Sequence, residues 1–216
     1  MGCSFKHERN LFKTGIQIVA GIDEAGRGPL AGPVVAAAVI LPAKFRHKKL
    51  NDSKKLSAPV REEIYLELTA SVEIHWHAAV VGVEEIDRMN ILRATHHAMR
   101  LAVAGLRVAP QHVLIDGLPV RPFPIPQTAL VDGDALSFSI AAASVIAKVT
   151  RDRIMIEMHA LYPVYDFARH KGYSTPDHLD RLHKHGPCPI HRRSFEPVAQ
   201  RVFDFGEIGG GAKPAS

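Results

Sequence analysis

The chain has 216 residues, 46% hydrophobic and 23% charged, enough to bury a substantial core in one domain. Its 27 Lys and Arg outnumber 22 Asp and Glu for a net charge of +5, with 13 His besides, which favours a polyanionic partner. Cys3 and Cys188 lie too far apart in sequence to suggest a disulfide framework. No apolar run reaches the ~18 residues of a membrane span, and MGCSFKHERN lacks the apolar core of a secretory signal. MGCS fits a myristoylation motif poorly, because the sixth position is Lys6. These features read as a cytoplasmic protein.

In chain order, residues 1–16 read as a frayed lead-in. Ile18, Val19, Ala20 and Ile22 then form a short strand of buried type, ending on Asp23 and Glu24. Adjacent strand side chains face opposite ways, so one acid continues inward and the other needs a bend, which Gly26 and Gly28 allow. Val34 to Leu41 is a second buried strand. A turn of acid, acid, Gly, Arg, Gly, Pro between such strands is poor core material. It suits a cation at the strand end and a phosphate or sugar at the glycine backbone. GRGPLAG is neither a dinucleotide-binding fingerprint nor a P-loop.

A basic segment, Lys44 to Lys55, leads to a helix with Ser57 as N-cap, Pro59 and Glu62-Glu63 in the first turns, and Val60, Ile64 and Leu68 inward. Val72 to Val83 reads as a third strand. Asn90 to Leu106 reads as a helix with Leu92, Met99, Val103 and Leu106 on one side. His112 to Ile115 is another buried strand, ending on Asp116-Gly117. Leu118 to Pro126 is an ordered proline-rich loop, and Leu130-Val131 a brief strand before Asp132-Gly133-Asp134. Ser139 to Ala160 is a long alanine-rich helix stopped by Pro163. Ser174 or Thr175 caps a last helix to about His185, and Gly206 to Ser216 reads as a flexible tail. Strands alternating with helices argue for an α/β sheet of mixed direction, whose ligands gather at the carboxyl ends of parallel strands. Asp23 and Asp116 are neighbours there if their strands pair in parallel.

Asp23, Glu24, Asp116 and one of Asp132 or Asp134 thus form a set of four acids, which repel one another unless cations neutralise them. Hard divalent ions suit such oxygen ligands, and two of them roughly 4 Å apart would drive an in-line phosphodiester displacement. Lys54, Lys55, Lys148, Arg192 and Arg193 either neutralise phosphates or form a solvated basic face. Ser144 reads as helix packing, and Asp152 as a buried partner of a cation. His183, His185, Cys188 and His191 have a spacing that matches no standard zinc site.

DEAGRGP (Asp23 to Pro29), NDSKKL (Asn51 to Leu56), LIDG (Leu114 to Gly117), Gly133-Asp134, AAASVIAKVTRD (Ala141 to Asp152), HKGY (His170 to Tyr173) and HRRSF (His191 to Phe195) resemble, in order, the motifs of bacterial ribonuclease HII. The likeness runs from about residue 18 to 200. It implies a ribonuclease H-like mixed sheet flanked by helices, with a catalytic domain over 17–162, a helical substrate-binding extension over 163–205, and flexible termini at 1–16 and 206–216. It further implies a monomeric metal-dependent endonuclease that uses two Mg2+ or Mn2+ ions. The substrates implied are RNA–DNA hybrids and duplex DNA carrying single ribonucleotides, incised on the 5′ side to leave 3′-hydroxyl and 5′-phosphate ends.

By the same likeness Asp23, Glu24, Asp116 and Asp134 are catalytic metal ligands. Gly26, Arg27 and Gly28 contact the ribonucleotide 2′-hydroxyl, and Tyr173 stacks at the RNA–DNA junction. Apart from the likeness, Lys54, Lys55, Ser144, Lys148, Arg192 and Arg193 are the remaining candidate substrate contacts. Asp132 departs from the pattern, standing where relatives often carry lysine. The competing readings are another phosphoryl transferase of this architecture and a non-catalytic nucleic-acid-binding module. GRG and HKGY argue against the first, and strand-end acids that repel phosphate argue against the second.

Overall fold

A computed structural model describes residues 3–200. Five strands form one mixed sheet in the order β3-β2-β1-β4-β5. They are β1 (Val19–Ala25), β2 (Val34–Ile40), β3 (His75–Val81), β4 (His112–Asp116) and β5 (Gln127–Leu130). β1 pairs antiparallel with β2 and parallel with β4; β2–β3 is antiparallel and β4–β5 parallel. β2 reads VVAAAVI and is buried throughout, because helices cover both faces. Val34, Ala36, Ala38 and Ile40 pack with Ala94, Ala98 and Ala102 on one side. Val35, Ala37 and Val39 pack with Ala141, Ala142 and Val145 on the other. Alanine on both partners brings the layers close.

The lead-in expected to fray is instead a helix, α1 (Lys6–Lys13). Phe5 is buried, and the Glu8 carboxylate accepts bonds from the Ser137 hydroxyl (2.6 Å) and the Ser139 N–H (2.9 Å). That places a negative charge at the start of a later helix, where its dipole favours one. The expected helix of the third segment is α2 (Ala58–Ala70), with Ile64 and Leu68 buried. Ser57 occupies its N-cap position but makes no capping bond with its side chain.

The third strand is shorter than expected at both ends: Val72 and Glu73 form a turn before it, and Val83–Met89 after it form a separate helix, α3. Asn90, at φ 72°, breaks that helix and caps α4 (Ile91–Ala104) by accepting from the Arg93 N–H. Met99 and Val103 face inward as expected, whereas Leu92 is exposed. β5 begins earlier than expected, at Gln127, whose amide closes the proline-rich loop by bonding both the N–H and the carbonyl of Val120. The long helix is α5 (Phe138–Leu161), followed by a one-turn helix α6 (Phe167–His170) and by α7 (Pro176–His185), which Thr175 caps. The tail from Gly206 lies outside the described residues. Among the described residues no helix is long and apolar enough to cross a membrane.

α5 crosses β1 at Gly21, where an added Cβ would lie 2.1 Å from the Ser139 backbone carbonyl carbon. Gly21→Ala should therefore separate helix from sheet and destabilise by about 1–3 kcal/mol, the usual range for overpacking. Denaturant unfolding measures it, and an unchanged midpoint would contradict the packing.

Candidate active site

The parallel register of β1 with β4 pairs Ile22 with Ile115, so the next residue of each strand, Asp23 and Asp116, stand side by side. Asp134 arrives from the 3-10 turn Gly133–Ala135 that follows β5. The turn is tied down by Asp116, whose Oδ1 accepts the Gly133 N–H at 2.7 Å. One oxygen from each of Asp23, Asp116 and Asp134 lies within 4.8 Å of the other two. Asp23 and Asp134 are buried. Asp132, the alternative left open by spacing, is exposed at φ 54° and lies outside this triad.

Glu24 behaves differently from its neighbour. The chain does not bend between the two acids, since β1 stays extended to Ala25 and the turn starts at Gly26, φ 96°. Glu24 therefore falls on the α4 side, while Asp23 falls on the α5 side. Its Oε1 accepts from Arg27 at 3.2 Å, and it is not one of the three acids within 4.8 Å.

Burial and then the charges of Glu24 and Asp116 push the Asp23 carboxyl well above its ordinary range, offset in part by the Ser144 hydroxyl and the Glu24 N–H. Burial, followed by Asp116 and Asp52, raises Asp134 to about 6, with Lys54 opposing. Lys54 stands 4.0 Å from Asp134. Burial lowers its own pKa, but Asp134, Asp23, Asp52 and Asp116 together hold the ammonium above its usual value. Crowded hard oxygens with too little positive charge nearby fit a hard divalent cation.

Beside the triad is a cavity of about 240 Å³ lined by Glu24, Gly26, Arg27, Gly28, Ser53, Lys54, Ser144, Lys148 and Tyr173. It gathers seven of the residues expected to meet substrate. A Cβ added at Gly28 would meet nothing within 4 Å, so no protein atom requires glycine there and the space is open to a ligand. Tyr173 is 41% exposed at the cavity, with the Lys148 ammonium 5.7 Å from its ring centroid.

The sequence profile of ribonuclease HII matches residues 20–198. The chain belongs to the ribonuclease HII family. It is 53% identical over 197 residues to a ribonuclease HII of Desulfitobacterium hafniense, covering 91% of this chain and 75% of that one. It is 57% identical over 185 residues to one of an Acidovorax species, covering 86% and 88%. A crystal structure of ribonuclease H2 from Pyrococcus horikoshii OT3 superposes with a TM-score of 0.69 at 28% identity, covering 88% of this chain and all of that one. As a ribonuclease HII family member the chain is a divalent-metal-dependent endoribonuclease of ribonuclease H type, acting on RNA-containing nucleic acid.

The structure places the remaining expected residues as follows, and corrects one of them. Arg192 is fully buried and spends its donors on backbone carbonyls, so no phosphate can reach it. Arg193 is exposed but outside the cavity, its N–H bonded to Asp87. Lys55 also lies outside, 3.8 Å from Asp52. Ser144 is buried and bonds the Ser53 hydroxyl at 2.8 Å, joining α5 to the NDSKKL segment. Asp152 does hold a cation, Lys148 at 2.7 Å, though it is only half-buried. Sequence reasoning passed over Ser53 and Asp52, although both sit in NDSKKL next to the lysine it did select.

His183, His185, Cys188 and His191 form no metal group; among the described residues only the acid triad does. His191 instead joins a buried chain of imidazoles. Its Nδ1 accepts the Cys188 N–H (3.0 Å), so its Nε2 carries the proton and donates to His178 Nε2 (3.0 Å). His178 Nδ1 in turn donates to the Tyr173 carbonyl (2.9 Å). His170 stacks on His178 with centroids 4.3 Å apart. Burial foremost depresses His178 to about 4 and His191 to about 3, which keeps both neutral.

The raised carboxylates carry a signed consequence. Asp134 is penalised while ionised, above about pH 6, and relieved as it takes up a proton on the way down to its ordinary value near 3.8. Metal-free Asp134→Asn should therefore melt above the parent at pH 8 by about 2–4 °C, the shift of ~1 kcal/mol in a domain this size. The gain should fade toward pH 4. Calorimetry in chelator at the two pH values decides it, and an equal gain at both would refute the charge origin.

Proposed function

We propose that the chain hydrolyses the RNA strand of RNA–DNA hybrids and incises duplex DNA 5′ to a single embedded ribonucleotide, leaving 3′-hydroxyl and 5′-phosphate ends. In this reading Asp23, Glu24, Asp116 and Asp134 hold two divalent ions, Mg2+ or Mn2+. In this reading the monomer is the acting unit, in keeping with one chain supplying all four acids and the cavity. Both cysteines are free thiols, in keeping with a cytoplasmic setting. Bound at the acids, the ions supply the Lewis acidity that lets water attack phosphorus in line at neutral pH.

The chain's own residues orient the substrate. The observation that carries the reading is Lys54, which stands 4.0 Å from Asp134 and also lines the neighbouring cavity. A phosphodiester neutralised by Lys54 has its phosphorus at the acids and its ribose beside Gly28, where a bare backbone admits a 2′-hydroxyl closely. Tyr173 at the cavity stacks on the next deoxyribose, and Lys148 contributes positive charge to the same wall. An enzyme that cleaved DNA alone would gain nothing from a bare, open Gly28. The deciding assay is cleavage of duplex DNA carrying one ribonucleotide, with and without divalent metal. Equal cutting of the all-DNA duplex would overturn the reading.

Two variant comparisons sharpen it. Asp134→Asn should lower kcat more than about 100-fold at saturating Mg2+, whereas Asp132→Lys should stay within about threefold and bind hybrid more tightly at low salt. Exchanged behaviour of the two would assign the fourth acid wrongly. Tyr173→Ala should lower turnover at an RNA–DNA junction with little loss of binding. Lys54→Ala should weaken all nucleic acids alike and reduce the salt slope by about one.

A further inference from the structure

Two arginines are the largest fully buried side chains among the described residues, Arg151 on α5 and Arg192 beyond α7, each 0% exposed. Neither has a carboxylate within 4 Å among the described residues. Burying a guanidinium without a counter-ion is expensive unless its donors are matched, and here carbonyls match them. Arg192 donates from Nε to Gly32 O, from Nη1 to Arg27 O, and from Nη2 to Gly26 O and Pro33 O, at 2.6–3.1 Å. Arg151 donates to Pro33 O, Lys171 O and Ala31 O at 2.9–3.1 Å. The two share the Pro33 carbonyl. Together they grip the turn 26–33 and, through Lys171, the loop that carries Tyr173. Gly26 completes the fit: at φ 96° its added Cβ would lie 2.1 Å from Arg151 Nε.

The consequence lies on the other side of the peptide planes. In a planar trans peptide the carbonyl and the N–H of the next residue point in opposite directions. The Gly26 and Arg27 carbonyls point inward to Arg192, so the N–H groups of Arg27 and Gly28 point away from it. Neither N–H has a hydrogen-bond partner among the described residues, and both residues line the 240 Å³ cavity. Successive N–H groups facing one way form a site for a hydroxyl or phosphate oxygen.

We infer that Arg192, braced by Arg151, is a positioning residue for ribonucleotide recognition: it draws two carbonyls inward and thereby presents the Arg27 and Gly28 N–H groups to the 2′-oxygen. This rests on the function proposed above. Lysine cannot replace either arginine, because a single ammonium cannot span carbonyls held by a planar fork.

The test is a cycle between variant and substrate. Binding without turnover is measured in chelator for duplex DNA carrying one ribonucleotide, and for the same duplex with 2′-fluoro in place of that hydroxyl. The parent should lose about tenfold on fluorination, the worth of one to two hydrogen bonds. In Arg192→Lys the loss should shrink to within about twofold, while the all-DNA duplex binds as before. Added methylguanidinium should restore the discrimination in Arg192→Ala. A purely structural arginine would weaken every duplex alike and leave the fluorine penalty at its parental size, which overturns the inference. If Arg192→Lys fails to melt cooperatively, the cycle is read on Arg151→Lys with the same two outcomes. A parent that does not prefer the ribonucleotide duplex would instead refute the proposed substrate, so the two failures are distinguishable.

Discussion

Everything at this site follows from two strands that run in the same direction and whose pairing ends just before an acid on each. The register of β1 against β4 leaves Asp23 and Asp116 adjacent just past the last paired residues, and a turn held by Asp116 itself adds Asp134. No side-chain flexibility can relieve this crowding, because α5 is packed onto β1 at Gly21 and α4 covers the opposite face. Like charges are thus fixed by backbone pairing rather than by side-chain choice. In a low-dielectric pocket that arrangement holds a standing demand for positive charge, which Lys54 meets only in part.

Much of this was legible in the residues. A short apolar run ending on an acid, twice, is what a parallel pair with a ligand at its carboxyl edge looks like in one dimension, and the mixed sheet and long α5 followed. The misreadings have physical causes. KHERNLFK is half charged and reads as a frayed end, and only the distant partners Ser137 and Ser139 make Glu8 a buried group. α3 has no counterpart in the sequence reading, which assigns nothing to residues 84–89, because Asn90 separates the two helices through a backbone angle that sequence does not display. Glu24 was expected to need a bend; alternation alone sends it to the other face. Spacing could not choose between Asp132 and Asp134, and the choice comes from the Gly133 N–H bond to a residue seventeen positions away.

The arginines show the limit most clearly. HRRSF offers two adjacent cations, and nothing local says that one is interior and the other at the surface. In the folded chain Arg192 is buried among carbonyls while Arg193 is exposed. Positive charge in this protein therefore has two distinct uses. At the cavity Lys54 stands near the acids and Lys148 lines the wall beside Tyr173; behind it two guanidiniums act as mortar for backbone that has no regular secondary structure to hold it. The two buried arginines are outnumbered by three buried acids, Glu8, Asp23 and Asp134, so the surface keeps the chain's basic surplus.

The imidazole chain behind Tyr173 belongs to the same economy of polar atoms but obeys a different arithmetic. Each link joins one protonated nitrogen to one bare nitrogen or carbonyl, so the run from Cys188 through His191 and His178 to Tyr173 has a direction, and every ring in it has a single allowed tautomer. A proton added to either ring leaves two N–H groups facing each other across 3.0 Å. Such a chain is intact or broken, with no intermediate setting. Its contribution is present above the ordinary histidine range and is withdrawn as acidity rises toward pH 4 and 3. Among the described residues the sheet contains no such chain of imidazoles, only the single hydrogen bond of His112 with Thr128, so acid should unlatch the arm that carries Tyr173 before it loosens the floor beneath the acids.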